Sequence, residues 1–195
     1  FKKKMFKGKK TERVMIPNRI DISLRPEAAN NRSELGHAEA DTMVSGKCHK
    51  SKVALSVLTD RKARYTRISK IDNLRPFIHK QALKRMGKRM KLKTITYDNG
   101  IENRDHQDLA NELSIQTFFC RPYHSWEKGT VENTIGRIRR FIPKGANIAL
   151  YSDEYIAKIE KWLNHTPRKC LNYKTPYEIM FSKSNSQNPS GAFEG

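Results

Sequence analysis

The sequence predicts an α/β protein with a mixed five-stranded sheet and helices on both faces. Three observations lead to this fold class. Three strand-like segments follow one another first, and later strands alternate with amphipathic helices. No apolar run reaches the roughly 18 residues that a membrane span needs. A hairpin meander followed by strand–helix alternation indicates antiparallel and parallel strands within one sheet.

Five segments have the composition of strands. The stretch "HAEADTMVSG" begins the β-rich part. "KVALSVLTD" is rich in β-branched and aliphatic residues and ends at Thr59-Asp60, and "RKARYTRISKI" alternates well enough to be its hairpin partner. "LKTITYD" and "IQTFFC" are shorter and follow later. The first three segments therefore predict an antiparallel meander, which the last two extend.

Helical patterns separate and follow the later strands. "NLRPFIHKQALKRMGKRM" has an apolar stripe at helical spacing, and "RDHQDLANELS" forms the next helix. "TVENTIGRIRRFI" is a helix that Pro143 and Gly145 stop. "SDEYIAKIEKWLNH" has Ser152 as its N-cap, and "TPYEIMF" has Thr175 as its cap with Pro176 at the first position. This order of elements is that of the ribonuclease H fold.

The domain organisation follows from length and local composition. The chain has 195 residues, which suits one domain of ordinary size or slightly more. We expect a basic linker and irregular lead-in over 1–30, a core over 31–181, and a disordered polar tail over 182–195. Because the chain opens at Phe1 within a lysine run, it resembles a fragment of a longer protein.

The net charge indicates the class of binding partner, and the cysteine content indicates the redox compartment. The formal net charge of +19 favours a polyanion, with nucleic acid as the first candidate and an acidic membrane surface as the second. Three widely spaced cysteines, odd in number and without a CxxC pair, fit a reduced cytoplasm and argue against a disulfide scaffold or a structural zinc site.

Three acidic residues stand out by their placement. Asp41 lies in the first strand, Asp98 at the end of the fourth, and Glu132 in the first turns of the helix after the fifth. Asp98 and Glu132 each have a simpler interpretation, whereas Asp41 has a cost in free energy. Asp98 before Asn-Gly is a common turn former, and Glu132 complements a helix dipole. Asp41 is harder to dismiss, because a carboxylate among strand residues is costly unless it is paired or metal-bound.

The predicted topology brings these acids together. The first and fourth strands are neighbours in the proposed sheet, and Glu132 lies about 100° round its helix from Val131. The buried stripe of that helix is Val131, Ile135, Ile138 and Ile142, and the exposed face, free to meet phosphates, carries Asn133, Arg137 and Arg140. Three converging carboxylates in a basic protein predict a site for Mg²⁺ or Mn²⁺.

Four stretches of the chain carry a resemblance to a known family. They are "RSELGHAEADT", "TDRKARY", "YDNG" through "SWEKGTVENTIGRIRRFIPKG", and "LNHTPRKCLNYKTPYEIM". Together they resemble the catalytic core of the DDE transposase and integrase superfamily, and specifically the insertion sequence thirty family of bacterial transposases, over roughly residues 16 to 181. The family usually has tryptophan, glycine and asparagine where this sequence has Ala38, Ala40 and Ile135.

The resemblance implies a function and a set of site residues. Asp41, Asp98 and Glu132 take the three metal-ligand positions, for two Mg²⁺ ions that Mn²⁺ can replace. The implied reaction is cleavage at the ends of a mobile DNA element, followed by joining of the freed 3′-OH to target DNA. Lys128 matches a position for a phosphate contact. A homo-oligomer is expected in the active complex, in the bacterial cytoplasm and without a membrane partner.

Two other functions remain open at this stage. One is a non-catalytic DNA-binding protein derived from such a core, and the other is a nuclease that stops after hydrolysis. Family members also carry an N-terminal helix-turn-helix region that this sequence lacks.

Further residues have two interpretations each. Residues 61 to 93 hold thirteen Lys or Arg and one acid, which indicates either a solvated face or a phosphate track that includes Arg61, Lys62 and Arg64. His124 either positions a scissile phosphate or is a simple loop histidine. Trp126 is expected to pack.

Two residues are expected to support the site from behind. Glu39 precedes Asp41 by two residues and therefore shares its strand face. Asn99, with Gly100, lets the backbone turn away after the fourth strand.

Overall fold

The computed structural model describes residues 16–122 and 124–182. The first half of the expected lead-in and nearly all of the expected polar tail lie outside these ranges. Five strands form one sheet in the order β3-β2-β1-β4-β5. Strands β1, β2 and β3 pair antiparallel, whereas β1, β4 and β5 pair parallel. The strands are β1 (His37–Val44), β2 (Ala54–Asp60), β3 (Thr66–Ile71), β4 (Thr94–Tyr97) and β5 (Gln116–Phe119). The predicted mixed five-stranded sheet is therefore confirmed.

Six α-helices accompany the sheet in the described part of the chain. They are α1 (Glu27–Asn30), α2 (Pro76–Gly87), α3 (His106–Leu113), α4 (Gly129–Ile138), α5 (Asp153–His165) and α6 (Pro176–Phe181). The lead-in, expected to be irregular, contains the short α1 and a 3₁₀ turn at Ile22–Leu24. Both turns are too short to show the apolar periodicity from which the longer helices were predicted.

The helix caps follow local sequence chemistry. The Ser152 hydroxyl accepts a hydrogen bond from Tyr155 N (3.2 Å) at the start of α5. Thr175 and Glu178 cap α6 reciprocally, with Pro176 in its first turn. Such caps satisfy backbone N–H groups that have no partner inside the helix. The caps predicted for both helices are confirmed.

Two apolar cores, one on each face of the sheet, hold the helices in place. On one face Ala38 and Ile95 pack with α2 and α3. On the other face Met43 and Val57 pack with α4 and α5. In the predicted stripe of α4, Val131, Ile138 and Ile142 are fully buried and Ile135 is partly buried. Helices therefore cover both faces, as the sequence predicts.

The register between β1 and β4 sets the position of the candidate site. Glu39 pairs with Thr96 across these parallel strands. Continued by two residues, this register places Asp41 level with Asp98, at the point where β4 has ended at Tyr97. The two aspartates therefore lie side by side at the carboxyl end of β4.

Backbone groups on both edge strands are partly covered. On β3, the Asn164 side chain of α5 bonds to both Thr66 N and Thr66 O (2.8 Å each), and Glu160 accepts from Ile68 N (2.6 Å). On β5, Phe119 N donates to Ile20 O (2.8 Å). Side chains and the lead-in thus take up backbone groups that an edge strand otherwise exposes.

Candidate active site

Two carboxylates of the candidate site meet at one cation. The Lys128 ammonium lies 3.0 Å from Asp41 Oδ2 and 3.0 Å from Asp98 Oδ2. The Lys128 side chain is only 5% exposed, whereas that of Asp98 is 41% exposed. The pair therefore opens to solvent on the Asp98 side, with a buried positive charge beneath it.

Asp98 acts as a turn former and as an ion-pair partner at once. Its Oδ1 accepts hydrogen bonds from Gly100 N (3.0 Å) and from Asn103 Nδ2 (3.0 Å). These bonds close the turn after β4 and fix the carboxylate, so that Oδ2 remains directed at Lys128. The two interpretations of this residue are therefore compatible, since each uses a different oxygen.

Burial and charge act against each other in this cluster. Burial raises the pKa of Asp41; Lys128 lowers it, and Asp98 raises it. For Lys128, burial lowers the pKa, but the two aspartates outweigh this effect and the pKa is raised overall. Lys128 consequently stays charged and supplies the positive charge that the two carboxylates require.

Glu39 fixes the start of α4 to β1. Its buried carboxylate accepts hydrogen bonds from Thr130 N and Val131 N (2.9 Å each). Its other oxygen pairs with Arg61, whose Nε donates to Ala29 O (2.8 Å). A carboxylate at a helix N-terminus satisfies free N–H groups and interacts favourably with the helix dipole. The expected supporting position of Glu39 thus has a physical basis.

Glu132 is not brought to the two aspartates in this structure. It lies in the first turn of α4 and is exposed, and it makes no hydrogen bond or ion pair with any described residue. Correspondingly, no group of three or more His, Cys, Asp or Glu side chains in the described ranges is placed to hold a metal ion. The structure therefore assembles two of the three predicted carboxylates.

Glu102 is a nearby acid that the sequence argument missed. Its Oε1 accepts from the Thr42 hydroxyl (3.3 Å), next to Asp41. Burial raises the pKa of Glu102, and the charges of Asp98 and Asp41 raise it further. Its only signal in the sequence is its position four residues after Asp98.

Arg61 and Lys128 do not occupy the exposed positions expected of phosphate contacts. Arg61 is 6% exposed and paired with Glu39, because the turn after β2 directs its guanidinium inward. Lys128 is directed at the two aspartates. In this structure both cations are paired with carboxylates, and a contact of either one with a DNA phosphate stays a prediction.

The basic run over 61–93 does not form one continuous track. Lys80 and Lys84 pair with Glu112 on α3, and Arg67 pairs with Glu160 on α5. These three cations are paired with acids of neighbouring helices, which accounts for part of the basic run without DNA. Of the three residues expected to form the phosphate track, Arg61 is buried and Lys62 donates to Ser33 O. Arg64 is the one that lines a basic cleft.

That cleft lies beside α4 and gathers residues from distant parts of the chain. Its volume is about 400 Å³. Of the residues expected to contact DNA, Arg64, Asn133 and Arg137 line this cleft. Arg140 is exposed but lies outside the lining. Other basic residues of the lining were missed by the sequence argument: Arg32, Arg168 and Lys169.

The loop before α4 carries an exposed aromatic pair. The rings of His124 and Trp126 are 4.5 Å apart, and His124 Nδ1 donates to Pro122 O (2.8 Å). Trp126, expected to pack, is 69% exposed. Behind this loop, Asn99 Nδ2 donates to Cys120 O (2.8 Å) and joins the turn after β4 to the end of β5.

Searches among known proteins identify relatives of the chain. It is 40% identical over 173 residues to the transposase for insertion sequence element IS4351 of Bacteroides fragilis, an alignment that covers 88% of this chain and 52% of that protein. It is 36% identical over 170 residues to transposase InsI for insertion sequence element IS30A of Escherichia coli K12, covering 86% of this chain and 43% of that protein. Over most of its length the chain is similar to insertion-sequence transposases.

The match is to part of each relative. The chain spans about half the length of the curated relatives it matches. No protein-family model matches the chain. No described helix is long and apolar enough to cross a membrane. The predicted resemblance to the insertion sequence thirty family is nevertheless confirmed by the identity over most of this chain.

Solved structures confirm the fold. The catalytic core domain of BIV integrase superposes with a TM-score of 0.58 at 18% identity, covering 75% of this chain and 94% of that one. A chain of the simian T-cell lymphotropic virus intasome in complex with PP2A regulatory subunit B56 gamma gives 0.62, also at 18% identity, covering 80% of this chain and 58% of that one. The predicted ribonuclease H-like fold is that of these integrase cores.

Proposed function

We propose that this chain is the catalytic core of a DNA transposase. Its reaction would hydrolyse a phosphodiester at the end of a mobile element and then join the freed 3′-OH to target DNA. The observation that carries the proposal is the aspartate pair on β1 and β4, which meets one cation in a chain related to transposases.

The carboxylate pair has the chemistry of a divalent-metal site. Two oxygens at 3.0 Å from one ammonium already stabilise a positive charge between them. Carboxylate oxygens are the ligands that Mg²⁺ and Mn²⁺ prefer. In the proposed active state Asp41, Asp98 and Glu132 would hold the metal. Bound there, it would activate an attacking oxygen and stabilise the leaving one.

Lys128 and Glu39 have distinct parts in this proposal. Lys128 keeps the two aspartates compensated without metal, and its ammonium has to leave the pair when a divalent ion takes that place. Glu39 fixes the start of α4 to β1, so that Glu132 stands on a helix attached to the strand that carries Asp41. In the active state Glu132 would approach the two aspartates from that helix.

The partners follow from charge and from the relatives. The net charge of +19 supports DNA as the ligand, held mainly through its backbone phosphates. One structural neighbour belongs to an intasome, which supports an assembly of several copies on DNA. Action on bacterial DNA places the proposed protein in the bacterial cytoplasm, and the free Cys48, Cys120 and Cys170 fit that compartment.

The test of the proposed function compares DNA cleavage by the wild type and by Asp98→Asn in the presence of Mg²⁺. The substrate is duplex DNA that carries the ends of the mobile element from which this chain is encoded. The amide keeps the acceptor for Gly100 N but loses the charge. We expect cleavage to fall on the order of a thousandfold or more, with DNA affinity unchanged. The matched control is Asp108→Asn on α3, whose side chain is 67% exposed.

Three outcomes would count against the proposal. Normal cleavage by Asp98→Asn would remove this residue from the catalytic site. A wild type that binds the ends and never cleaves would favour the non-catalytic DNA-binding protein. A wild type that hydrolyses but never joins ends to target DNA would favour the nuclease.

A further inference from the structure

The basic cleft beside α4 is a second charged feature that the proposed chemistry does not use. Four guanidinium groups and one ammonium group line it, and no acidic side chain lies among the described residues of the lining. These basic residues are Arg32, Arg64, Arg137, Arg168 and Lys169. Such a concentration of one sign of charge in a concave surface focuses an attractive field for anions.

Arg168 shows that the cleft is a built feature and not a chance patch of surface. It is only 7% exposed, and its Nη1 has no hydrogen-bond partner among the described residues. Its Nη2 donates to Leu163 O (2.8 Å), which holds the guanidinium in place. Burial lowers the pKa of Arg168, and the nearby positive charges of Arg137 and Arg140 lower it further. A buried cation beside like charges favours the binding of an anion, and no acidic side chain among the described lining residues supplies one.

The remaining lining favours a phosphate over a metal or an apolar ligand. Arg64 Nη1 donates to the Thr130 hydroxyl (2.9 Å), and Arg137 Nε donates to Asn133 Oδ1 (3.2 Å). These bonds hold two guanidinium groups against α4, each with further donors. Planar guanidinium groups match the oxygens of a phosphate diester, and this is their usual role in nucleic-acid recognition.

The cleft and Glu132 lie on opposite flanks of α4. By helix geometry Glu132 lies about 100° to one side of the buried Val131, while Thr130 lies about 100° to the other. Thr130 and Thr134 line the cleft, and Glu132 does not. Because Glu39 takes the N–H groups of Thr130 and Val131, side chains rather than the helix N-terminus supply the attraction for an anion.

From these contacts we infer that the basic cleft binds a backbone phosphate of DNA on the flank of α4 away from Glu132. This inference rests on the proposed function, because it takes DNA as the polyanion. The contact is to the backbone and reads no bases, since the lining presents cations to phosphate. It therefore contributes affinity and register and leaves sequence choice to other parts of the protein.

The test measures the salt dependence of duplex binding. The variant is Arg32→Gln/Lys169→Gln, because both side chains are exposed and their loss leaves the core intact. The matched control is Lys158→Gln/Lys161→Gln, two exposed lysines of α5 outside the cleft. Affinity for a duplex of arbitrary sequence is measured across a range of salt concentrations, with thermal unfolding to verify that each variant is folded.

The expected result separates local contact from bulk charge. The cleft variant should bind about tenfold more weakly, and the slope of log affinity against log salt should fall by about 2. The control should keep nearly the wild-type slope. Equal slopes for the cleft variant and the control, with a wild type that binds DNA, would overturn this inference and leave the proposed function intact. A wild type with no salt-dependent DNA binding would overturn both.

Discussion

The aspartate pair and the basic cleft beside α4 differ in how their charges are compensated. Asp41 and Asp98 share one ammonium, that of Lys128. On the cleft flank Arg32, Arg64, Arg137, Arg168 and Lys169 have no acid among the described lining residues. The aspartate pair keeps an excess of negative charge even with Lys128 in place and is suited to a cation. The cleft concentrates positive charge and is suited to an anion. The chain thus presents one region suited to chemistry and another suited to holding DNA.

The strongest test of this difference compares Glu132→Gln with Arg137→Gln. The first removes a proposed metal ligand, so we expect cleavage to fall on the order of a thousandfold with the half-saturating DNA concentration unchanged. The second removes a phosphate contact, so we expect a several-fold rise in that concentration. Cleavage kinetics over a DNA titration measure both quantities.

Glu154→Gln on α5 is the control for loss of an exposed acid. The comparison fails if Glu132→Gln weakens binding as much as Arg137→Gln does, since the two flanks would then share one role.

A second prediction concerns Glu39 and Arg61, which fix α4 to the sheet. Arg61→Met leaves the buried Glu39 carboxylate without its charge partner, and the free energy of unfolding should fall by about 3 kcal/mol. Glu39→Gln should have a similar cost. The double variant should lose less than the sum of the two, because the pair is removed together. Chemical denaturation of the three variants measures this coupling, and simple additivity would contradict the pairing.

A third prediction tests whether Asp41 and Asp98 form a cation site that Lys128 occupies in the absence of metal. Lys128→Met should lower the free energy of unfolding by about 2 kcal/mol in metal-free buffer, less than for a fully buried pair because Asp98 is partly exposed. Added Mg²⁺ should then stabilise this variant more than the wild type, since no ammonium competes for the two carboxylates.

Lys144→Met is the matched control, because Lys144 is exposed. An identical response of Lys128→Met and the wild type to Mg²⁺ would show that Lys128 does not occupy the cation position.

The smallest expected effect is a loss of stability in acid that arises at His79 on α2, on the face of the sheet opposite to α4. Burial lowers the pKa of His79 on α2 from its ordinary 6.5 to about 4. Stability from the neutral imidazole is therefore complete above the unfolded-state pKa of 6.5 and is lost as the pH falls towards about 4. Between pH 7 and pH 5.5 we expect a loss of about 1 kcal/mol. His79→Gln should flatten this slope, as urea unfolding at the two pH values would show; an unchanged slope would place its origin elsewhere.

The fold was largely predictable because its signals are local. Strand composition, helix periodicity and the caps at Ser152 and Thr175 depend on residues close in sequence. The proximity of Asp41 and Asp98 was also predictable, since adjacent strands bring residues at similar depth together. These parts required no knowledge of side-chain directions beyond the alternation along each strand.

The remaining features depend on contacts between distant parts of the chain. Arg61 is buried because the β1–β2 register sets it beside Glu39, and one residue of slip would place it elsewhere. Lys128 reaches the aspartates from a short 3₁₀ helix, Ser125–Lys128, which is too short to show a period in the sequence. Arg168 reaches α4 only after α5 has packed on β3. The charges of all three were visible in the sequence, but the partners that decide their roles were not.

The covered edges of the sheet have a consequence for self-association. With Thr66 and Ile68 bonded to side chains of α5, and Phe119 bonded to the lead-in, these positions offer an incoming strand no free main-chain partner. A neighbouring copy therefore cannot join by continuing the sheet there, which also guards against the edge-to-edge stacking that leads to aggregates. At these positions a second copy would have to use other surfaces, such as helices and loops, to associate with this chain.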